Sequence, residues 1–589
     1  MIWVVGAIIF GSVLRVAYPS RMAIEHFDEG VYASNIWFGA EQGFEYPARY
    51  LYAPPLLPAA IEWTMIVAGM VGAPSDGATP MIPCLLAGIA MIVSLWWVGR
   101  NWFGPSAGVA CSWLVAGSDL HCSYSRSAMT DVPVCLLILW AVYFFPKALA
   151  GGKPRDLALA AAFTALAWWT KYSGWLPLAI ASSGCVAWQL FQPRLRRHPG
   201  LLCQRFLIAM GLALILWSPV LLGLQKHGGY SAVASNHRQY MHGLTGWTKS
   251  ASRQLLVTGL YDSLLSAPYE ALVGSSSMEL TIPAESGEES KKGPVKIPLQ
   301  SLLLLDQDSL SRLLSPDLNE ADRSSFKPKL MENAFIPWLL LEVFPVVLII
   351  FALGGTLTSI VVADSDQAGL SAWLLLAWIC GLLLSTPFYH PYPRLILPLL
   401  VAVWLGVGAA IQFLGHRSHL AVRSSPVPTW ESKWPEIMLV GGLLASTLTR
   451  CQLGTFHAWQ DRSSLSRAAA TISSRIRSET KLDSIVYVMG EPALFFHLKA
   501  AGLPLVGPVQ GLEFLEGNAP VPVYLVRTSR AFRSRGFQDQ WQAHRNDLEI
   551  VDRLTVRESH LVVLDENLSI ANLNGKMRQG EAVSLFRAK

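Results

Sequence analysis

His26-Phe27-Asp28-Glu29-Gly30-Val31-Tyr32 stands between an apolar run from Met1 to Tyr18 and a second one from Leu56 to Ala73. Carboxylates placed where a hydrophobic helix emerges into water are costly near lipid, and such groups are candidates for chemistry at the bilayer surface. The bland alternative is that the acidic pair solvates a loop or caps the helix continuing through Tyr32 and Trp37. Which reading holds depends on what the other loops bring to the same side.

Working outward, the 589 residues are 52% hydrophobic and only 15% charged, with 22 Trp, so charge must be confined to gaps between long apolar runs. That is the composition of a polytopic membrane protein. The net charge of +5 arises from short Arg/Lys clusters between these runs, without a basic stripe interleaved with aromatics, so loop anchoring is expected and nucleic acid is not. The eight cysteines lack CxxC or paired spacing, which argues against a disulfide framework and a zinc site. Met1 to Tyr18 has no basic n-region and no small-residue cleavage site before Arg21, and is expected to be a retained helix.

Runs able to cross a core of about 30 Å fall at 1–19, 80–99, 104–120, 131–149, 156–171, 173–191, 203–224, 335–362, 369–387, 392–414 and 435–452. Eleven transmembrane helices are expected, in a polytopic α-helical protein. The segment 56–73 carries Glu62, which would cost about 2.5–3.5 kcal/mol at a helix centre. With this segment kept at the outer interface, eleven Lys and Arg lie on inside loops (Arg100; Lys147, Lys153, Arg155; Arg194, Arg196, Arg197, Arg205; Arg417, Arg423, Lys433) against five outside (Arg21, Arg49, Arg126, Lys171, Arg394). The opposite choice would reverse the positive-inside bias, so an interfacial helix is expected.

The chain then divides into a transmembrane domain, 1–452, with a first outer loop 20–79 and a long outer loop 225–334, and a soluble extracytoplasmic domain, 453–589. In the latter, β-rich runs (484–488, 521–526, 548–556, 560–564) alternate with helix-like ones (463–476, 493–501, 531–546), which reads as a small α/β domain.

The outward loops hold the unusual polar groups. Tyr50-Leu51-Tyr52-Ala53-Pro54-Pro55 has two prolines that hold the preceding residues extended, which would return the loop across the membrane surface beneath the acidic pair; Pro-Pro as a mere helix start is the alternative. Arg126 and Asp131 flank a membrane entry, where ionisable groups pair or bind a ligand; a structural Arg–Asp pair is the alternative. Lys171 lies outside against the charge bias, although it could simply snorkel. Tyr389, His390, Tyr392 and Arg394 share a fourth outer loop, where the aromatics alone would be an interface belt. Three cations, Arg126, Lys171 and Arg394, facing Asp28 and Glu29 make a site in which cations hold a phosphate leaving group and a carboxylate deprotonates an acceptor. No Walker A motif, dinucleotide fingerprint or HExxH occurs. Asp28, Glu29 and His26 are too few and too close for a complete cation site, so no metal ligand is assigned; no cofactor is certain, and a divalent metal stays open.

In their order, these motifs resemble the GT-C superfamily of membrane glycosyltransferases, specifically its protein O-mannosyltransferase-like and lipid A aminoarabinose transferase-like members that use polyprenyl-phosphate sugars. The matching residues are Asp28-Glu29 with Tyr32, Pro54-Pro55-Leu56, Ser125-Arg126 with Asp131, Thr170-Lys171, and Tyr392 with Arg394 before Leu397-Pro398. The resemblance implies Asp28 as the base, Glu29 as its positioning or substrate-binding neighbour, and inversion at the anomeric carbon. It further implies substrate-binding roles for Tyr32, Tyr52, Arg126, Asp131, Lys171, Tyr389, His390, Tyr392 and Arg394. Ala53 stands where the aminoarabinose type has a charged residue, and 225–334 does not look like the β-trefoil of eukaryotic protein mannosyltransferases. The expected protein is therefore a bacterial, multi-pass enzyme of the cell envelope, in the inner or plasma membrane. It would transfer a sugar from a polyprenyl-phosphate carrier to a lipid, glycan or protein on the extracytoplasmic face, with membrane lipids around it. A transporter or flippase would need mid-membrane charges and broken-helix repeats, and a polymerase or ligase would use the same carrier with a longer glycan.

Overall fold

Apolar runs bounded by Pro, Ser and Gly fold here as helices that satisfy their own backbone groups, as lipid requires. The computed structural model describes residues 2–34, 49–74, 76–192, 199–238, 240–241, 243–262, 277–280, 295–298, 344–422, 434–480, 484–503, 505–509, 511–516, 520–528, 530–531, 535–557, 559 and 581–589. Among them, six helices are long and apolar enough to cross a membrane: Thr79–Trp102, Asp131–Gly151, Pro199–Gln225, Phe344–Val362, Asp366–Phe388 and Pro393–Gly415. A seventh arises if Trp434–Leu453 is joined with His457–Glu479, across a bend of 41°.

The expected eleven spans are thus not matched as eleven long helices. Several helices are shorter than their apolar runs: Ile2–Val16 has 15 residues, Leu176–Phe191 has 16, and Pro105–Gly117 has 13. The last stops at Ser118 because that hydroxyl accepts the His121 N–H and starts a new helix, Asp119–Ser125. The segment expected at the interface forms Leu56–Met70, whose 15 residues rise about 22 Å, less than a bilayer core of about 30 Å. Leu57, Ile61 and Met65 are buried while Trp63, Val67 and Met70 are exposed. The core of the helical region joins residues of Ile82–Trp102, Pro105–Gly117, Asp131–Pro146 and Leu397–Val422.

Towards the C-terminus the chain builds a five-stranded sheet in the order Leu505–Val509, Ile485–Met489, Val523–Arg527, Glu581–Ala588, Leu548–Val556. The first three strands are parallel, and the pairings to Glu581–Ala588 are antiparallel. The strands Leu505–Val509 and Glu581–Ala588 go beyond the runs expected from the sequence. The first contains Gly507 and Pro508, residues unsuited to a strand interior, but an edge strand tolerates proline because one side of its backbone needs no partner. The expected strand 560–564 lies outside the described residues, as does most of the loop 225–334 beyond Asp262.

This sheet unit is packed onto residues 22–32. Met22, Ile24, Val31 and Tyr32 share one apolar cluster with Leu465, Ile472, Val486, Ala493 and Phe495. Gly30 is pressed so closely on the Pro492–Ala500 helix that a Cβ there would lie 2.2 Å from the Ala493 nitrogen. The joint is polar at its centre: Arg462 donates to Glu29 Oε2 at 2.5 Å, Glu25 Oε2 at 3.2 Å, the Arg126 carbonyl at 2.8 Å and Ser127 Oγ at 3.1 Å. A second buried carboxylate, Asp119, accepts from Arg450 and from the backbone N–H groups of His457 and Ala458, the latter two at 2.8 Å. Arg462→Gln leaves two buried carboxylates without their cation; stability should fall by about 3–5 kcal/mol, read as a lowered unfolding midpoint of the detergent-solubilised protein.

Candidate active site

The acidic pair sits on the helix Phe27–Ala33, and the helix gives its two members opposite surroundings. His26 is the N-cap and accepts the Asp28 N–H through its ring, while Glu29, at the third helical position, folds back to accept the His26 N–H at 2.9 Å. This capping box turns the Glu29 carboxylate inward, where it is fully buried and also accepts the N–H groups of Glu25 at 3.1 Å and Ala128 at 2.7 Å. Asp28 faces the other way: its Oδ2 meets Arg394 Nη1 at 2.6 Å, with both side chains 15% exposed.

Tyr32 lies four residues on from Asp28, hence on the same helix face. Its hydroxyl points to the Tyr52 carbonyl at 3.5 Å. Burial raises its pKa well above the ordinary phenol value, with the charge of Asp28 adding to the rise and that of Arg394 opposing it. Tyr52 is likewise pushed up to about 12 by burial and then by Asp28. Asp131 belongs to the same group, since its charge also acts on Tyr32. It holds Lys171 Nζ at 2.5 Å; Asp131 is 3% exposed and Lys171 23%. The second Asp131 oxygen, Oδ2, is buried and has no hydrogen-bond partner among the described residues.

Opposite these stand the residues that follow the helix Asp366–Ser385. Arg394 lies over the Tyr392 ring at 5.0 Å, and the rings of His390 and Tyr392 are 4.6 Å apart. Tyr389 Oη shares a 2.7 Å hydrogen bond with His237 Nδ1, and the His390 N–H donates to the Tyr240 carbonyl at 2.8 Å. His237 and Tyr240 are absent from the residues expected at the site, because they fall in a stretch that reads as a long loop with partial order. The helix Gly229–Arg238 brings His237 within the fields of Lys171, Asp28 and Arg394. An apolar recess lined by Leu255, Pro345, Leu348, Ile396, Leu399 and Val403 includes a residue only two positions beyond Arg394.

The structure thus brings Asp28, Tyr32, Tyr52, Asp131, Lys171, Tyr389, His390, Tyr392 and Arg394 into one polar cluster. It places Glu29 and Arg126 elsewhere. Arg126 is buried and donates to the carbonyls of Arg15 at 2.7 Å and Ala17 at 2.6 Å. The Ile2–Val16 helix ends shortly before Pro19, its last carbonyls lack intrahelical partners, and Arg126 supplies them. The hint of this in the sequence is Pro19, which makes the preceding helix end foreseeable. Among the described residues, no group of three His, Cys, Asp or Glu is arranged to hold a metal ion.

Known proteins agree with the resemblance carried by the motifs. Residues 53–222 match the family model for dolichyl-phosphate-mannose-protein mannosyltransferase, a segment that contains Pro54-Pro55, Arg126, Asp131 and Lys171 but neither Asp28 nor Arg394. Among curated proteins, none matches the chain. The oligosaccharyltransferase of Archaeoglobus fulgidus in its apo form superposes with a TM-score of 0.51 at 10% identity, over 89% of this chain and 69% of that one. ArnT from Cupriavidus metallidurans bound to undecaprenyl phosphate gives 0.49 at 13% identity, over 99% and 97%. The Saccharomyces cerevisiae Pmt1-Pmt2 protein O-mannosyltransferase complex bound to the sugar donor gives 0.32 at 16%, over 39% and 34%. The chain has the GT-C fold, and its family match falls within the same glycosyltransferase superfamily.

Burial, then the neighbouring Lys171, lowers the His237 pKa, with Asp28 opposing and Arg394 adding to the fall. A folded-state pKa below the unfolded one means that the hold of the helix Gly229–Arg238 on Tyr389 is full above the usual imidazole value and weakens as pH drops through it. Hydrogen exchange in 229–238, taken relative to the intrinsic amide rate at each pH, should therefore rise as the pH falls from about 7.5 to 5 in the wild type. In His237→Phe it should be higher throughout, without that pH-dependent step.

Proposed function

We propose that the protein is an integral membrane glycosyltransferase that moves one sugar from a polyprenyl-phosphate carrier to a lipid, glycan or protein acceptor. The observation that carries this reading is the pairing of Asp28 with Arg394 beside Asp131 with Lys171: two carboxylates and two cations in one half-buried cluster. Two cations suit a phosphate leaving group, whose charge rises as its bond to the sugar breaks. A carboxylate that keeps some access to solvent suits removal of an acceptor proton.

In this reading the acceptor O–H gives its proton to Asp28, the acceptor oxygen bonds to the anomeric carbon, and the carbon–oxygen bond to phosphate breaks with its electron pair staying on the phosphate. A single displacement inverts the anomeric centre. Arg394 and Lys171 hold the phosphate, and the tyrosines Tyr32, Tyr52, Tyr389 and Tyr392 with His390 line the sugar and acceptor positions. Glu29 acts through structure, as the buried anchor of the helix that carries Asp28. The positive-inside bias of the sequence supports an extracytoplasmic site, with 453–589 as an extracytoplasmic domain on the same side.

Asp28→Asn preserves the shape of the side chain and removes the base. Turnover with a labelled polyprenyl-phosphate sugar in membranes should fall by about 10²–10⁴-fold, with expression unchanged. Undiminished transfer by that variant overturns the assignment of Asp28.

A further inference from the structure

Asp28 is occupied: its Oδ2 receives Arg394 Nη1 at 2.6 Å. The guanidinium therefore competes with an incoming acceptor proton for that oxygen. We propose that Arg394 is a travelling counterion, which passes from Asp28 to the phosphate of the lipid carrier as negative charge moves the same way. The proposal rests on the glycosyltransferase reading above.

The charges balance along the step. At the start Asp28 is an anion held by Arg394, and the donor phosphate, esterified to both lipid and sugar, carries one negative charge. The acceptor proton then neutralises Asp28, the new glycosidic bond forms, and the departing lipid phosphate gains the electron pair of the broken bond. Asp28 has lost its claim on the guanidinium as the phosphate acquires a second negative charge. An interaction that strengthens in this direction favours the transition state over the ground state.

The two ion pairs differ in the way such a division of labour needs. Asp131 is 3% exposed and its Oδ2 has no hydrogen-bond partner among the described residues, so losing Lys171 would strand a buried charge. Lys171, itself 23% exposed, is therefore held by the need of the enclosed Asp131 and is the fixed cation. Asp28 and Arg394 are each 15% exposed, so solvent or substrate can take over either partner at lower cost. Arg394 also rests over the Tyr392 ring at 5.0 Å, an attraction indifferent to which anion the guanidinium faces. A planar fork that turns on an aromatic face can exchange a carboxylate for a phosphate without leaving the site.

The test is a double-mutant cycle on binding of undecaprenyl phosphate, the dianionic form of the carrier, to the full-length protein in nanodiscs. Asp28→Asn should tighten binding by about tenfold while transfer falls by about 10²–10⁴-fold, and Asp28→Ala should do the same. In an Arg394→Gln background the gain should shrink to less than about twofold, whereas in a Lys171→Met background it should persist. A gain of equal size with and without Arg394 reports only general repulsion between two anions and overturns the exchange, as does the lack of any gain over a wild type that binds and transfers normally. A wild type that does not bind the lipid phosphate overturns the donor reading itself.

Discussion

The buried carboxylate of Glu29 is the constraint from which the rest of the architecture follows. A lone charge sealed from water is untenable, so every direction around Glu29 must supply a donor. The N–H groups of Glu25 and His26 come from the same turn, that of Ala128 from another loop, and the guanidinium of Arg462 from a segment 433 residues further along the chain. Burial alone would lower the Arg462 pKa, but Glu29 and Glu25 beside it raise it above its ordinary value. One carboxylate thereby fixes the start of the helix Phe27–Ala33, the loop after the Asp119–Ser125 helix, and the docking of the C-terminal sheet unit.

That docking explains the glycine in the acidic motif. Once Arg462 draws the C-terminal segment in, the Pro492–Ala500 helix rests on the backbone of Gly30, where a Cβ would meet main-chain atoms that cannot turn aside. The orientation of Asp28 is therefore set by two contacts on the far side of its helix, one polar and one steric. Asp119 repeats the device at the other joint, gathering Arg450, His457 and Ala458 where a membrane helix gives way to the sheet unit. A chain with few charges commits several of them to holding its two parts together.

Much of the site was legible because lipid leaves polar residues few places to go. Asp28, Lys171 and Arg394 stand out against apolar neighbours, and charge bias alone suffices to group them on one side. The sequence presents Asp28 and Glu29 as equals, however, and only the capping box separates them: the third helical position turns back to the helix start, the second does not. Arg126 reads like Arg394 until the unfinished carbonyls of the first helix are seen to need it. His237 and Tyr240 carry no signal of their own, since their place depends on Tyr389 and His390 across the cluster; His237 meets a residue 152 positions away. Arg462 and Asp119 are equally silent, because long-range burial is what gives them meaning.

The same burial logic orders the two ion pairs of the site. In each, a cation from a segment between helices meets a carboxylate near a helix start, and the pairs look alike in sequence. They diverge in depth: Asp131, at the first position of a membrane helix, is enclosed, while Asp28, on a short helix lying between the membrane part and the sheet unit, keeps an open edge. The cost of separating an ion pair rises as water is withdrawn, so the pair with the enclosed Asp131 is the costlier one to part and the Asp28–Arg394 pair the cheaper. The open edge at Asp28 is in turn a product of Glu29, whose inward turn leaves its neighbour as the carboxylate that faces Arg394.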